Sequence, residues 1–177
     1  MAEMGEPVPE FELIAHLSEP PAEVGARLRA ALAVPIEDQL QWRTEWEAWR
    51  TWRARVEAIG VLVFQFGKVA LAEVRGISLL HAPLPVAGVN GKEIPEGKSY
   101  TLLHEVVHLM LAAGKEERPA LLEKRSGPEW QQVERFAEIA ASNALIPEQA
   151  LAAAIGRRQV DAAWRLDEMR NLARRFR

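Results

Sequence analysis

The chain has 177 residues, 49% apolar and 27% charged, with a net charge of −3 and no cysteine. That length fits one domain with extra arms, and the absence of thiols excludes disulfides and thiolate metal sites, so any metal must be held by histidine and carboxylate. No apolar run reaches the ~18–20 residues that span a bilayer, and MAEMGEPVPEFE lacks the basic and apolar regions of a secretory signal, so a cytoplasmic setting with no membrane partner is expected.

Residues 1–20 hold five Glu and no Lys or Arg, and residues 1–19 read as a flexible acidic arm. Ser18, Pro20 and Pro21 mark a helix start, with the helix running to about Ala33. A long amphipathic helix is expected over residues 36–59, stopped by Gly60. Its Trp42, Trp46, Trp49, Trp52 and Val56 fall on one side and read as core packing. The period then shortens to that of strands. Residues 61–66, 77–80 and 85–90 are three short β candidates, the last closed by Asn90-Gly91. Pro85 and Gly88 place the third at a sheet edge, where an extended peptide could add through main-chain hydrogen bonds.

A second long helix follows over residues 97–113, ended by Gly114. Residues 115–127 form a charged connector with Pro119, read as a surface loop. Pro128 opens a third long helix to about Ile146, Pro147 starts a short one to Ile155, and residues 157–177 form a last helix with seven Arg. These elements give an α+β class, with long helices on a small three-stranded sheet and helical extensions. The domain division is an arm over 1–19, a main domain over 20–156, and a basic helix over 157–177. That helix reads as a solvated face or as the start of a further unit.

The strongest chemical signal is His104-Glu105-Val106-Val107-His108, an H-E-x-x-H run on the second long helix. Positions i and i+4 share a helix face, so both rings can reach one cation, and Glu105 can reach a water beside it. A catalytic zinc takes three protein ligands and keeps a fourth position open. His16 and His81, the other histidines, lie off that helix, so the third ligand is sought among carboxylates. On the next helix Glu134 and Glu138 stand one turn apart, and Ala137 and Ala141 leave room for close approach. Glu134 is assigned as the third ligand. Glu138 is assigned as acceptor for the free ring N–H of a ligand histidine, and an exchange of these two roles stays open. Two imidazoles and a carboxylate suit zinc, while manganese or another divalent ion also fits. Glu105 is then the general base. Candidates for an oxyanion donor or substrate contact are His81, Tyr100, Arg135 and Asn90.

Three blocks of the chain resemble the ImmA/IrrE family of metallopeptidases, which process bacterial repressor proteins. The first is residues 60–64, followed by Arg75-Gly76-Ile77-Ser78 and the strand at 85–90. The second is Tyr100-Thr101-Leu102-Leu103 with the H-E-x-x-H run. The third runs from Glu134 through Ala137 to Leu145-Ile146-Pro147, similar to E-x-x-A-(N/D)-x-F-A-A-x-L-L-M-P. Together they cover roughly residues 36–155. The resemblance implies a zincin-like α+β fold, with His104, His108 and Glu134 on the metal and Glu105 catalytic. It also implies a protein substrate, typically a DNA-binding helix-turn-helix repressor. The chain differs from the pattern at Val107 (Gly in the family), Glu138 (Asn or Asp), Ala140 (Phe) and Ala144 (Leu). None of these removes a ligand; each changes bulk nearby. No helix-turn-helix of its own is evident, so direct nucleic-acid binding is not expected. A competing function is a non-catalytic module that displaces a repressor by docking, with a structural or absent metal. The intact Glu105 and the lack of an evident fourth protein ligand favour the enzyme. A metal-dependent hydrolase of a non-peptide amide is a third reading.

Overall fold

The computed structural model describes residues 9–82, 84–116, 127–156 and 164–177. The elements are α1 (Pro21–Ala31), α2 (Ile36–Gln39), α3 (Glu45–Ala58), β1 (Leu62–Phe66), β2 (Gly76–Leu79), β3 (Val86–Asn90), α4 (Pro95–Ala113), α5 (Pro128–Leu145), α6 (Glu148–Ile155) and α7 (Leu166–Arg175). This is the expected mixed α+β arrangement of helices on a three-stranded sheet. Residues 117–126, with Pro119, and residues 157–163 lie outside the described residues, so the expectations for the connector and for the start of the last helix are not addressed.

α4 is the centre of the molecule. Leu102, Leu103, Val106, Val107, Leu109, Met110 and Leu111 are all buried, on every side of the helix. A helix apolar all round is one packed all round, and α3, α5, β2 and β3 each contact α4. The H-E-x-x-H run therefore sits on the most constrained backbone in the fold.

The sheet order is β1-β3-β2, with β1 parallel and β2 antiparallel to β3. This corrects the expectation for residues 85–90: β3 is the central strand, not an edge. Pro85 stands just before the strand, and its carbonyl accepts from Leu62 N at 2.8 Å, so its missing N–H removes nothing from the ladder. Gly88 is a matter of space. A Cβ there would lie 2.6 Å from Phe64 Cζ and 2.8 Å from Ile77 Cγ1, from the strands on either side. The edge strand beside α4 is β2, with no further strand paired to it among the described residues, so the peptide-binding edge expected at residues 85–90 is not available there.

The helix expected over residues 36–59 is broken into α2 and α3, a second correction. Thr44 caps α3, its hydroxyl accepting from Glu47 N at 3.1 Å, while Glu47 Oε2 accepts from Arg43 N at 2.8 Å. Gln39, the last residue of α2, is buried and its side-chain amide ties the helix end to distant backbone. Its Nε2 donates to the carbonyls of Leu145, Phe176 and Arg177, each at 3.1 Å. The tryptophan stripe is accordingly split. Trp49, Trp52 and Val56 are buried, and Trp42 packs edge-on to Trp52 at 5.6 Å. Trp46 stays 52% exposed, beneath Lys98 Nζ at 5.1 Å.

Residues 11–17, expected within the arm, lie against the core. Phe11, Leu13 and Leu17 pack on it, Ala15 is fully buried, and Ala15 N donates to Met110 O at 3.0 Å. The apolar residues alternate, as they do along an extended segment with one buried side. At the other end Phe176 is buried, and Arg177 donates to Glu45 Oε1 and to Trp42 O. On α5, Ala137, Ala140, Ala141 and Ala144 are all buried. α1 comes so close that a Cβ at its Gly25 would overlap Ala140 O. The space left by the small residues at positions 140 and 144 is thus filled by α1.

Candidate metal centre

His104 and His108 project from the central helix α4, and Glu134 faces them from α5. The two Nε2 atoms are 3.0 Å apart. Glu134 Oε2 lies 3.4 Å from His104 Nε2, and its Oε1 lies 3.5 Å from His108 Nε2. One ligand atom from each residue lies within 4.8 Å of the other two. A tetrahedral cation with bonds of 2.0–2.2 Å holds its ligand atoms about 3.3–3.6 Å apart. The two carboxylate distances, each to a different oxygen of Glu134, are of that size, and the ring nitrogens, 3.0 Å apart, lie slightly inside it. The donor set, two imidazoles and a carboxylate, is also that of a divalent transition metal. The residues therefore fit such an ion. Trp130, one turn before Glu134, stacks on His108 with centroids 5.6 Å apart and planes 15° from parallel.

Glu105 is buried beside this cluster. Burial pushes its carboxyl up from the usual range, while His108, a hydrogen bond with Ser78 and His104 draw it back down. Ser78 belongs to β2, and so does Gly76, where a Cβ would collide with Glu105 Oε1. β2 therefore presents a small residue and a hydroxyl, at alternate positions of one face, to the carboxylate.

The centre opens into a cavity of about 800 Å³ between α4, α5, β2 and the 71–74 loop. Glu138 lines it but is exposed, and His104 Nδ1 is buried with no hydrogen-bond partner among the described residues. Glu138 thus makes no bond to that ring nitrogen. Tyr100 is on the cavity wall, bonded to Ser142, and burial and then Glu138 raise its hydroxyl above the usual tyrosine range. His81 and Arg135 are exposed and do not line the cavity. Asn90 is buried and committed elsewhere: its Nδ2 donates to Val74 O and Val69 O, and its Oδ1 accepts from Lys92 N. It shapes the loop that walls the cavity and does not contact it. The sequence reading missed Ser78 and Gly76 as site residues. Both stand in the first block of the resemblance, as a Gly-x-Ser pair at strand period, but with no role attached.

A peptidase family described as the IrrE N-terminal-like domain matches residues 56–177, a span that includes β1, β2, β3, both ligand helices and all four residues of the centre. No curated protein and no solved structure matches the chain.

Proposed function

Since this chain belongs to the IrrE N-terminal-like domain family, we propose that it is a metal-dependent endopeptidase, with zinc as the metal, acting on a helix-turn-helix repressor. The observation that carries the reading is the buried Glu105 carboxylate in the same cavity as the His104–His108–Glu134 cluster. A structural metal site has no use for a base there and tends to close with a fourth protein ligand.

When bound, a divalent cation supplies Lewis acidity, which polarises a carbonyl and acidifies water. His104 and His108 would hold it through ring nitrogens, and Glu134 would add a carboxylate. Glu105 takes the proton of the attacking water and carries it to the departing amine. Trp130 holds the His108 ring by stacking and excludes water from that side. Tyr100 is a neutral donor on the wall, and a phenol, protonated at neutral pH, can serve an oxyanion. β2, the free edge beside Glu105, can align an extended substrate by main-chain hydrogen bonds.

The test is to mix the zinc-loaded protein with helix-turn-helix repressors from its source genome. Wild type is expected to cut one of them, while Glu105→Gln keeps stoichiometric metal and leaves that repressor intact. Cleavage by both proteins, or by neither, overturns the peptidase reading. Loss of repression without cleavage supports docking instead.

A further inference from the structure

The cavity does not end at the ligands. Its lining includes residues from both faces of β2. Gly76 and Ser78 face Glu105, so Ile77 and Leu79 alternate to the other side. There the cavity wall is Phe64, Ile77, Leu79 and Val86. The strand register brings these four together: Leu79 lies opposite Val86, Ile77 opposite Gly88, and Gly88 opposite Phe64. Phe64 and Ile77 close over Gly88, within 3 Å of where its Cβ would be, and make an apolar floor. Ile77 nevertheless remains 45% exposed. A large apolar surface is thus continuous with the cavity that holds the candidate metal centre.

We propose that Phe64, Ile77, Leu79 and Val86 form a subsite for large apolar side chains of a peptide lying along β2, and that substrates carry such residues two positions apart. This rests on the peptidase reading above. A strand added to β2 turns alternate side chains toward α4 and toward this face. Those on this face meet Ile77 and Leu79 at the roughly 4.5–5.5 Å separation of cross-strand neighbours. Covering the exposed part of Ile77 removes apolar surface from water and favours binding. A charged side chain in the same place loses its hydration against four apolar residues and gains no partner among them.

The test uses two short fluorescein-labelled peptides of alanine, serine and lysine. One carries leucines two residues apart; the other has alanine there. Anisotropy is followed on titration with zinc-supplemented Glu105→Gln protein, alone or with Ile77→Ser or Phe64→Ala added. The leucine peptide is expected to bind about tenfold more tightly, and each added substitution to remove most of that difference. Equal affinities for the two peptides would overturn the subsite. So would a difference untouched by both added substitutions. Cleavage is read separately, with Glu105 intact. If the leucine peptide is bound with the expected preference but never cut, the peptidase reading fails and the subsite stands.

Discussion

A Cβ at Gly76 would lie 2.6 Å from Thr101 Cγ2 and closer still to Glu105 Oε1. Thr101 cannot yield freely, because its hydroxyl donates to the buried Glu93, which also pairs with Arg75 at 3.0 Å. Glu105 must therefore move. For Gly76→Ala we expect kcat to fall by about tenfold or more, as misplacing a reacting group by a fraction of an ångström does, with metal content unchanged. Steady-state kinetics beside metal analysis checks this. Equal loss of metal would instead mean that the whole centre had shifted. His104, Glu105 and His108 were legible in the sequence because a helix makes their relation local. Gly76 and Ser78 were not, because they reach Glu105 only through the placing of β2 against α4.

The same contrast appears among the elements. The span of each strand was readable from its alternation, but strand order was not. Pro85 and Gly88 obey local rules that point to an edge, while pairing with two distant strands made β3 central. The break between α2 and α3 was legible and was overridden by periodicity. Thr44-Glu45-Trp46-Glu47 has the S/T-x-x-E spacing of a helix start, yet the tryptophan stripe suggested continuity. Thr44→Ala removes the hydroxyl that accepts from Glu47 N. It should destabilise the protein by about 1 kcal/mol, a fall of roughly 2–4 °C in Tm for a chain of this size. Thermal unfolding by circular dichroism measures it. No change would mean that α3 is held in register by Trp49, Trp52 and Val56 alone.

Over the whole molecule, α5 is the element on which the centre depends. Its C-terminal end is tied down by buried polar groups: Arg29 donates to Ala144 O at 2.8 Å and Gln39 to Leu145 O at 3.1 Å. Burial pushes the Arg29 guanidinium down to about 10, so it remains charged at neutral pH, beside the partial negative charge of the helix end. The one α5 residue in the candidate cluster is Glu134, more than two turns earlier, facing His104 and His108 on α4. A cation bound there would tie α5 to α4, as Arg29 and Gln39 tie its other end to α1 and α2, and would stabilise the folded state by mass action. At a hundredfold excess over Kd this contributes about 2.7 kcal/mol, or roughly 5–10 °C in Tm. Zinc should therefore raise the Tm of wild type by that amount and a chelator should reverse it. Glu105→Gln should keep the shift, since Glu105 is outside the ligand set, whereas Glu134→Ala should lose most of it. Glu138→Ala should retain it, because that exposed carboxylate lines the cavity without joining the three converging atoms. If Glu138→Ala abolishes the shift and Glu134→Ala preserves it, the third ligand is Glu138, and α5 must turn about its tethered end to bring it there.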